Sequence, residues 1–167
     1  LFRNCFLVGK RFQLARIVFG RKVIETSTFR RSPVNSDERL ETDELYQRED
    51  NTFGTPEEDA WRRDFTVNGL VYCIRSFAIM DYVRGLRDIE RKTLRSIGDP
   101  NIRFREDPVR MLRAVRLAAR TDFRIDWASR RAIKRHCNDI TKASVPRLVE
   151  EIMRLFAYRS AEKSFRM

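Results

Sequence analysis

The sequence predicts an α+β fold, strands first and helices after. Three observations carry this. Apolar and β-branched residues fill 6–20 and 22–29, Thr55-Pro56 is followed by acids as helix starts are, and spacing from residue 106 onward is helical. At 167 residues the chain is long enough for one large domain or two small ones.

"FLVGKRFQLARIVFG" (6–20) alternates apolar and basic residues and reads as a strand. "KVIETSTF" (22–29) reads as a second, reached by a tight turn near Gly20-Arg21. Residues 31–52 lose all period and become acidic, so a mobile surface loop is expected there, with "SPVNSD" as its turn-rich start. Thr55, Pro56, Glu57, Glu58 and Asp59 combine a cap, a first-turn proline and negative charge at the positive end of a helix dipole. "IMDYVRG" and "TLRSIG" suggest short strands around a turn or helical turn at 85–91. Asp107-Pro108 opens a helix, a second runs over about 127–138, and Ser144-Val145-Pro146 opens a third. The third carries an apolar stripe of Leu148, Val149, Ile152, Leu155 and Phe156. The expected division is 1–100 and a helical part at 101–167.

Composition excludes several classes. Hydrophobic residues at 42% and charged residues at 35% suit a soluble globular protein, and no apolar run approaches the roughly 18 residues of a membrane span. Cys5, Cys73 and Cys137 are odd in number, far apart and without zinc spacing, which points to a reduced, cytoplasmic setting. His136 is the only histidine, so a Ser-His-Asp triad or a His-rich metal site is excluded, and there is no P-loop and no GxGxxG. The chain begins at Leu1 and is expected to be a piece of a longer protein.

Net charge is +11, yet residues 37–59 hold 10 of the 24 acids. Outside that window 33 basic residues face 14 acidic ones. So basic a surface suits a polyanion, nucleic acid above all, although charge for solubility is the plainer reading.

Three constellations could carry chemistry. In "REDPVRMLRAVRLAAR" (105–120), Arg110, Arg113, Arg116 and Arg120 fall within about a third of a turn of one helix. Asp107 at its start is an ordinary cap, with Glu106 and Asp107 in reach of Arg110. A carboxylate beside a guanidinium is also an acceptor beside a donor. Adenine and cytosine present the complementary donor and ring-nitrogen acceptor, guanine and uracil the reverse, so Asp107 with Arg110 or Arg113 would accept A or C. In "RRDFTVNGL" (62–70), Arg63, Asp64 and Asn68 could serve a ribose hydroxyl and phosphates, or merely form a paired surface face. Glu25 amid β-branched residues is either exposed or bound to a cation.

"FRNCFLVGKRFQLARIVFG", "VIETSTFR", "FGTPEEDAWRRDFTVNGL", "MDYVRGLRDIERKTLRSIGDP" and "RFREDPVRMLRAVRLAAR" together resemble the bacterial poly(A) polymerase and CCA-adding enzyme superfamily of nucleotidyltransferases. The likeness covers residues 1–30 and about 53–156, and "FRNCFLVGKRF" looks closer to the poly(A) polymerase branch. It implies the C-terminal part of a nucleotidyltransferase head over 1–100, then an all-helical, nucleotide-reading and RNA-binding neck. The implied activity is adenylate addition from ATP to an RNA 3′ end, with CCA addition to tRNA or a non-catalytic RNA-binding module as alternatives. Glu25 corresponds to a palm carboxylate that binds metal, and Arg63, Asp64 and Asn68 to the ribose and triphosphate motif, where Asp64 is sometimes treated as catalytic. Glu106, Asp107, Arg110 and Arg113 match the base-reading motif, and Arg116 and Arg120 would continue toward RNA. The implied cofactor is Mg2+, on a two-metal scheme. The family's Gly-rich turn and Asp-x-Asp pair do not occur here and would precede Leu1, leaving one of three metal ligands in the chain.

Overall fold

A computed structural model describes residues 3–8, 14–31, 53–157 and 161–166, and the expected acidic loop at 31–52 lies almost wholly outside them. The chain forms two compact units, 1–62 and 63–167.

The first unit is a three-stranded antiparallel sheet, β1 (Cys5–Val8), β2 (Leu14–Phe19) and β3 (Lys22–Thr26), in the order β1-β2-β3. The stretch expected as one strand over 6–20 therefore holds two. An alternating pattern has the same period in both arms of a hairpin, so periodicity alone does not show the reversal. The turn from β2 to β3 falls where expected: Phe19 pairs with Lys22, and Gly20 takes φ +56°, a left-handed conformation that costs glycine nothing. Helix α1 (Pro56–Arg62) starts with a reciprocal cap. The Glu58 amide donates to Thr55 Oγ1 at 3.2 Å, and the Thr55 amide donates to Glu58 Oε2 at 2.7 Å.

The second unit begins with a 3-10 turn (Thr66–Asn68) and the hairpin of β4 (Leu70–Cys73) and β5 (Ala78–Asp81). Then come α2 (Gly85–Glu90), β6 (Thr93–Leu94), α3 (Pro100–Glu106), α4 (Val109–Thr121) and β7 (Arg124–Ile125). Helices α5 (Trp127–His136), α6 (Val145–Phe156) and α7 (Ala161–Arg166) complete it, with a 3-10 turn (Cys137–Lys142) after α5. The helical run expected from 106 is interrupted by β7, which pairs in parallel with β6. Arg63, Asp64 and Asn68 lie at a bend and a 3-10 turn rather than along one helix.

The core explains why the second compact unit runs unbroken across residue 100. Phe65 and Leu94 are buried in one cluster with Phe104, Met111, Ala114, Ala118 and Ala132, so residues on both sides of 100 share a core. The α6 stripe is covered only in part: Leu155 is buried, whereas Val149, Ile152 and Phe156 stay exposed, the last against the Phe165 ring at 5.4 Å. Among the described residues no helix is long and apolar enough to cross a membrane.

The loop from β5 to α2 is fixed by one carboxylate. Asp81 Oδ1 accepts from the amides of Val83 and Gly85, and Oδ2 from that of Leu86. Burial pushes the Asp81 pKa up, but these amide bonds outweigh it and hold the carboxyl below its ordinary value. Gly85 sits where a Cβ would meet the Thr66 carbonyl oxygen at 2.3 Å. Backbone cannot yield as a flexible side chain can, so Gly85→Ala is expected to lower stability by about 1–3 kcal/mol, read from the denaturant midpoint.

Candidate functional site

Seven of the residues singled out from sequence lie in the second unit, on the 63–68 segment and around the junction of α3 and α4. Asp107 ends α3, and its backbone carbonyl accepts the Arg110 amide at 3.1 Å. No side-chain cap bond is made at the start of α4, so the expected capping role of Asp107 does not hold. Pro108 has already turned the chain into helical geometry, and the carboxylate is used elsewhere. Asp107 Oδ2 accepts from Arg147 of α6 at 2.6 Å and lies 3.8 Å from Arg110 Nε, while Oδ1 is buried with no hydrogen-bond partner.

Glu106 is held between two guanidiniums, Arg103 at 3.0 Å and Arg110 at 3.1 Å. Arg110 also donates to the Arg103 carbonyl at 3.0 Å, so its charge is largely matched within the helix junction. Arg103 reaches the Arg63 carbonyl at 2.9 Å and thereby ties the 63–68 segment to α3. Burial, with the Arg110 charge next, pulls the Arg103 pKa below its ordinary value.

Asp64 is nearly buried, and Oδ1 accepts from the Phe65 amide and from Asn68 Nδ2, each at 2.9 Å. Asn68 thus positions the carboxylate. Asp64 Oδ2 has no hydrogen bond and faces Arg113 Nε at 3.4 Å. Arg113 in turn lies 3.6 Å from Glu151 Oε1, and its Nε is buried without a hydrogen bond. Two carboxylates hold this guanidinium in place by charge while its N–H groups have no acceptor among the described residues. A buried polar atom without a hydrogen bond is costly, and Asp64 Oδ2, Asp107 Oδ1 and Arg113 Nε are three such atoms.

The arginine stripe divides. Arg113 is a third exposed and Arg120 is exposed, but Arg116 is buried and donates through Nε to Glu151 Oε2 at 2.9 Å. Arg116 is therefore an internal ion-pair residue, and the expectation that it meets RNA is set aside: a guanidinium so placed is closed to a strand. Sequence reasoning missed Glu151 and Arg147. Glu151 carried a legible signal, for it sits on the same helical stripe as Leu148 and Leu155.

Glu25 lies in the first unit, on β3 opposite Arg16. Its side chain is 48% exposed and Oε1 accepts from Arg16 at 2.6 Å. Among the described residues no three His, Cys, Asp or Glu side chains converge as a metal site would need. The described residues thus hold no complete metal site, and the one carboxylate singled out for a metal, Glu25, is matched by Arg16.

A family model described as "Poly A polymerase head domain" matches residues 1–95, and one described as "Probable RNA and SrmB- binding site of polymerase A" matches 122–167. The chain is 45% identical over 159 residues to Poly(A) polymerase I of Salmonella typhi, covering 93% of this chain and 34% of that protein. It is 30% identical over 165 residues to the CCA-adding enzyme of Staphylococcus epidermidis, covering 99% of this chain and 40% of that one. Its structure is similar to that of the Bacillus stearothermophilus CCA-adding enzyme in complex with CTP, with a TM-score of 0.80, 28% identity, and coverage of 98% of this chain and 37% of the other. The chain spans about a third of the length of the curated relatives it matches.

Proposed function

Because the chain belongs to the poly A polymerase head-domain family, we propose that it selects the nucleotide in a template-independent polymerase that adds AMP from ATP to RNA 3′ ends. The observation that carries this is three of the unsatisfied buried atoms, Asp64 Oδ2, Asp107 Oδ1 and Arg113 Nε. Two acceptors and a donor suit a ligand that brings hydroxyl or amino hydrogens and an acceptor of its own, as a nucleoside does. Asp107 and Arg113 read the base edge, with Arg110 and Glu106 bracing the junction. Asp64, held by Asn68, accepts from a ribose hydroxyl, and Arg63 is assigned to the triphosphate.

Greater identity to poly(A) polymerases than to CCA-adding enzymes supports adenylate addition, whereas the structural likeness to a CTP complex keeps CCA addition as the second reading. Substrates on this reading are ATP and an RNA 3′ end, of mRNA or tRNA. Three free thiols suit a reducing cytoplasm. Paired magnesium ions would supply activation of the 3′-hydroxyl and of the leaving pyrophosphate. Glu25, released from Arg16, would bring only one carboxylate to them. The 167-residue chain by itself is accordingly expected not to extend an RNA primer given ATP and magnesium; clear 3′ extension by it would overturn that division of labour.

Nucleotide binding tests the site directly. Arg113→Ala in the full protein is expected to weaken binding of a fluorescent ATP analogue by roughly tenfold to a hundredfold, the range for losing a charged hydrogen-bonding partner. An unchanged dissociation constant in a folded variant removes Arg113 from the site. Primer extension with ATP or CTP alone separates the two readings, since an adenylate polymerase makes long products from ATP only.

A further inference from the structure

A second basic feature of the 63–167 unit is not used by the nucleotide site. An open cleft of about 310 Å³ is lined by Val83, Arg84, Arg87, Asp88 and Arg95, none of which is among the residues assigned to the nucleotide. The volume is about ten times a water molecule's share of liquid, enough for a phosphate and part of its sugar.

The cleft is built rather than incidental. Asp88 is buried, with its Oδ2 accepting from Thr66 Oγ1 at 2.8 Å and from Arg95 Nε at 3.1 Å. Arg95 also reaches Asp126 at 3.4 Å, so two carboxylates match its charge and fix its place. Arg84 stands on the loop that the Asp81 carboxylate pins, with φ +63°. Arg84 and Arg87 are exposed, and neither guanidinium has a hydrogen bond or an acidic partner within 4 Å among the described residues. Two unmatched guanidiniums at a concave wall, beside a third already neutralised, leave about two positive charges facing the opening.

We infer that this cleft, formed by Arg84 and Arg87 beside the anchored Arg95, binds a backbone phosphate of the RNA strand; the inference rests on the reading that the protein acts on RNA. A phosphodiester fits the chemistry. Guanidinium forks match phosphate oxygens, and an open cleft admits a strand that continues beyond it. Solvent-exposed contacts of this kind act through charge, so they take their toll on salt dependence and are indifferent to base sequence.

The test uses the full protein, Arg84→Asn and Arg87→Gln singly and together, and a fluorescent oligoadenylate. Asparagine tolerates the left-handed backbone at position 84, so folding is kept, and the melting temperature verifies it. The pair is expected to reduce the slope of log K against log salt by about 0.7, the single-strand value for the one phosphate matched, and each single substitution by part of that. Oligouridylate is expected to respond equally. Binding of inorganic pyrophosphate, measured calorimetrically, separates a strand site from a site for free phosphate. Loss of pyrophosphate binding with oligoadenylate binding unchanged overturns the proposal. So does an unchanged salt slope in a protein that still binds the ATP analogue, which leaves the nucleotide reading standing. A parent protein that binds the analogue but no oligoadenylate overturns the cleft together with the RNA reading.

Discussion

Glu151→Leu is expected to cost about 3–5 kcal/mol of stability, the range for removing one member of a buried ion pair. Glu151 is buried on α6, and Arg116, buried on α4, donates to it at 2.9 Å. Without the carboxylate, Arg116 keeps its charge in a site closed to water. The second substitution Arg116→Met should restore most of the loss, because an apolar pair of similar volume needs no desolvated charge. Nucleotide affinity should not recover in parallel. Arg113 lies 3.4 Å from Asp64 and 3.6 Å from Glu151, so the double variant still removes one of its two anchors. Denaturant midpoints read the first effect, and titration with the ATP analogue reads the second. A double variant that regains both stability and affinity would make Glu151 a packing residue only.

Legibility of this chain followed the range of the interactions. The turn at Gly20, the Thr55–Glu58 cap and the helix from Trp127 depend on residues a few positions apart, and the sequence displays them. The reversal between β1 and β2 was hidden, since both strands continue one alternation. So was the division at 62/63, because it is decided by which residues share the core with Phe104 and Met111, a long-range matter. The proposed nucleotide site is a set of residue types the sequence displays, and Arg63, Asp64, Asn68, Asp107 and Arg113 lie within one unit. What spacing could not show was which arginine is spent. Arg116 shares a stripe with Arg113, yet Glu151, 35 residues away, claims it.

Asp107 is where a helix start and a base reader can be told apart by experiment. Its side chain caps nothing, so Asp107→Asn removes no capping bond. The variant weakens a contact with Arg147, whose side chain is 54% exposed, and a pair open to solvent on one side is worth about 1 kcal/mol or less. The melting temperature should therefore stay near that of the parent. Base choice should not. The buried, unsatisfied Oδ1 of Asp107 can only accept, which suits the amino group of adenine and rejects the O4 of uracil. An asparagine amide turns its NH2 toward that oxygen and accepts both. With a hydrogen bond to a charged group worth about 1.5–3 kcal/mol, the preference for ATP over UTP should fall by roughly tenfold to a hundredfold in kcat/KM. Primer extension by the full protein with each nucleotide measures this ratio. If a folded Asp107→Asn enzyme keeps the parent's preference, Asp107 serves α6 through Arg147 and the base is read elsewhere.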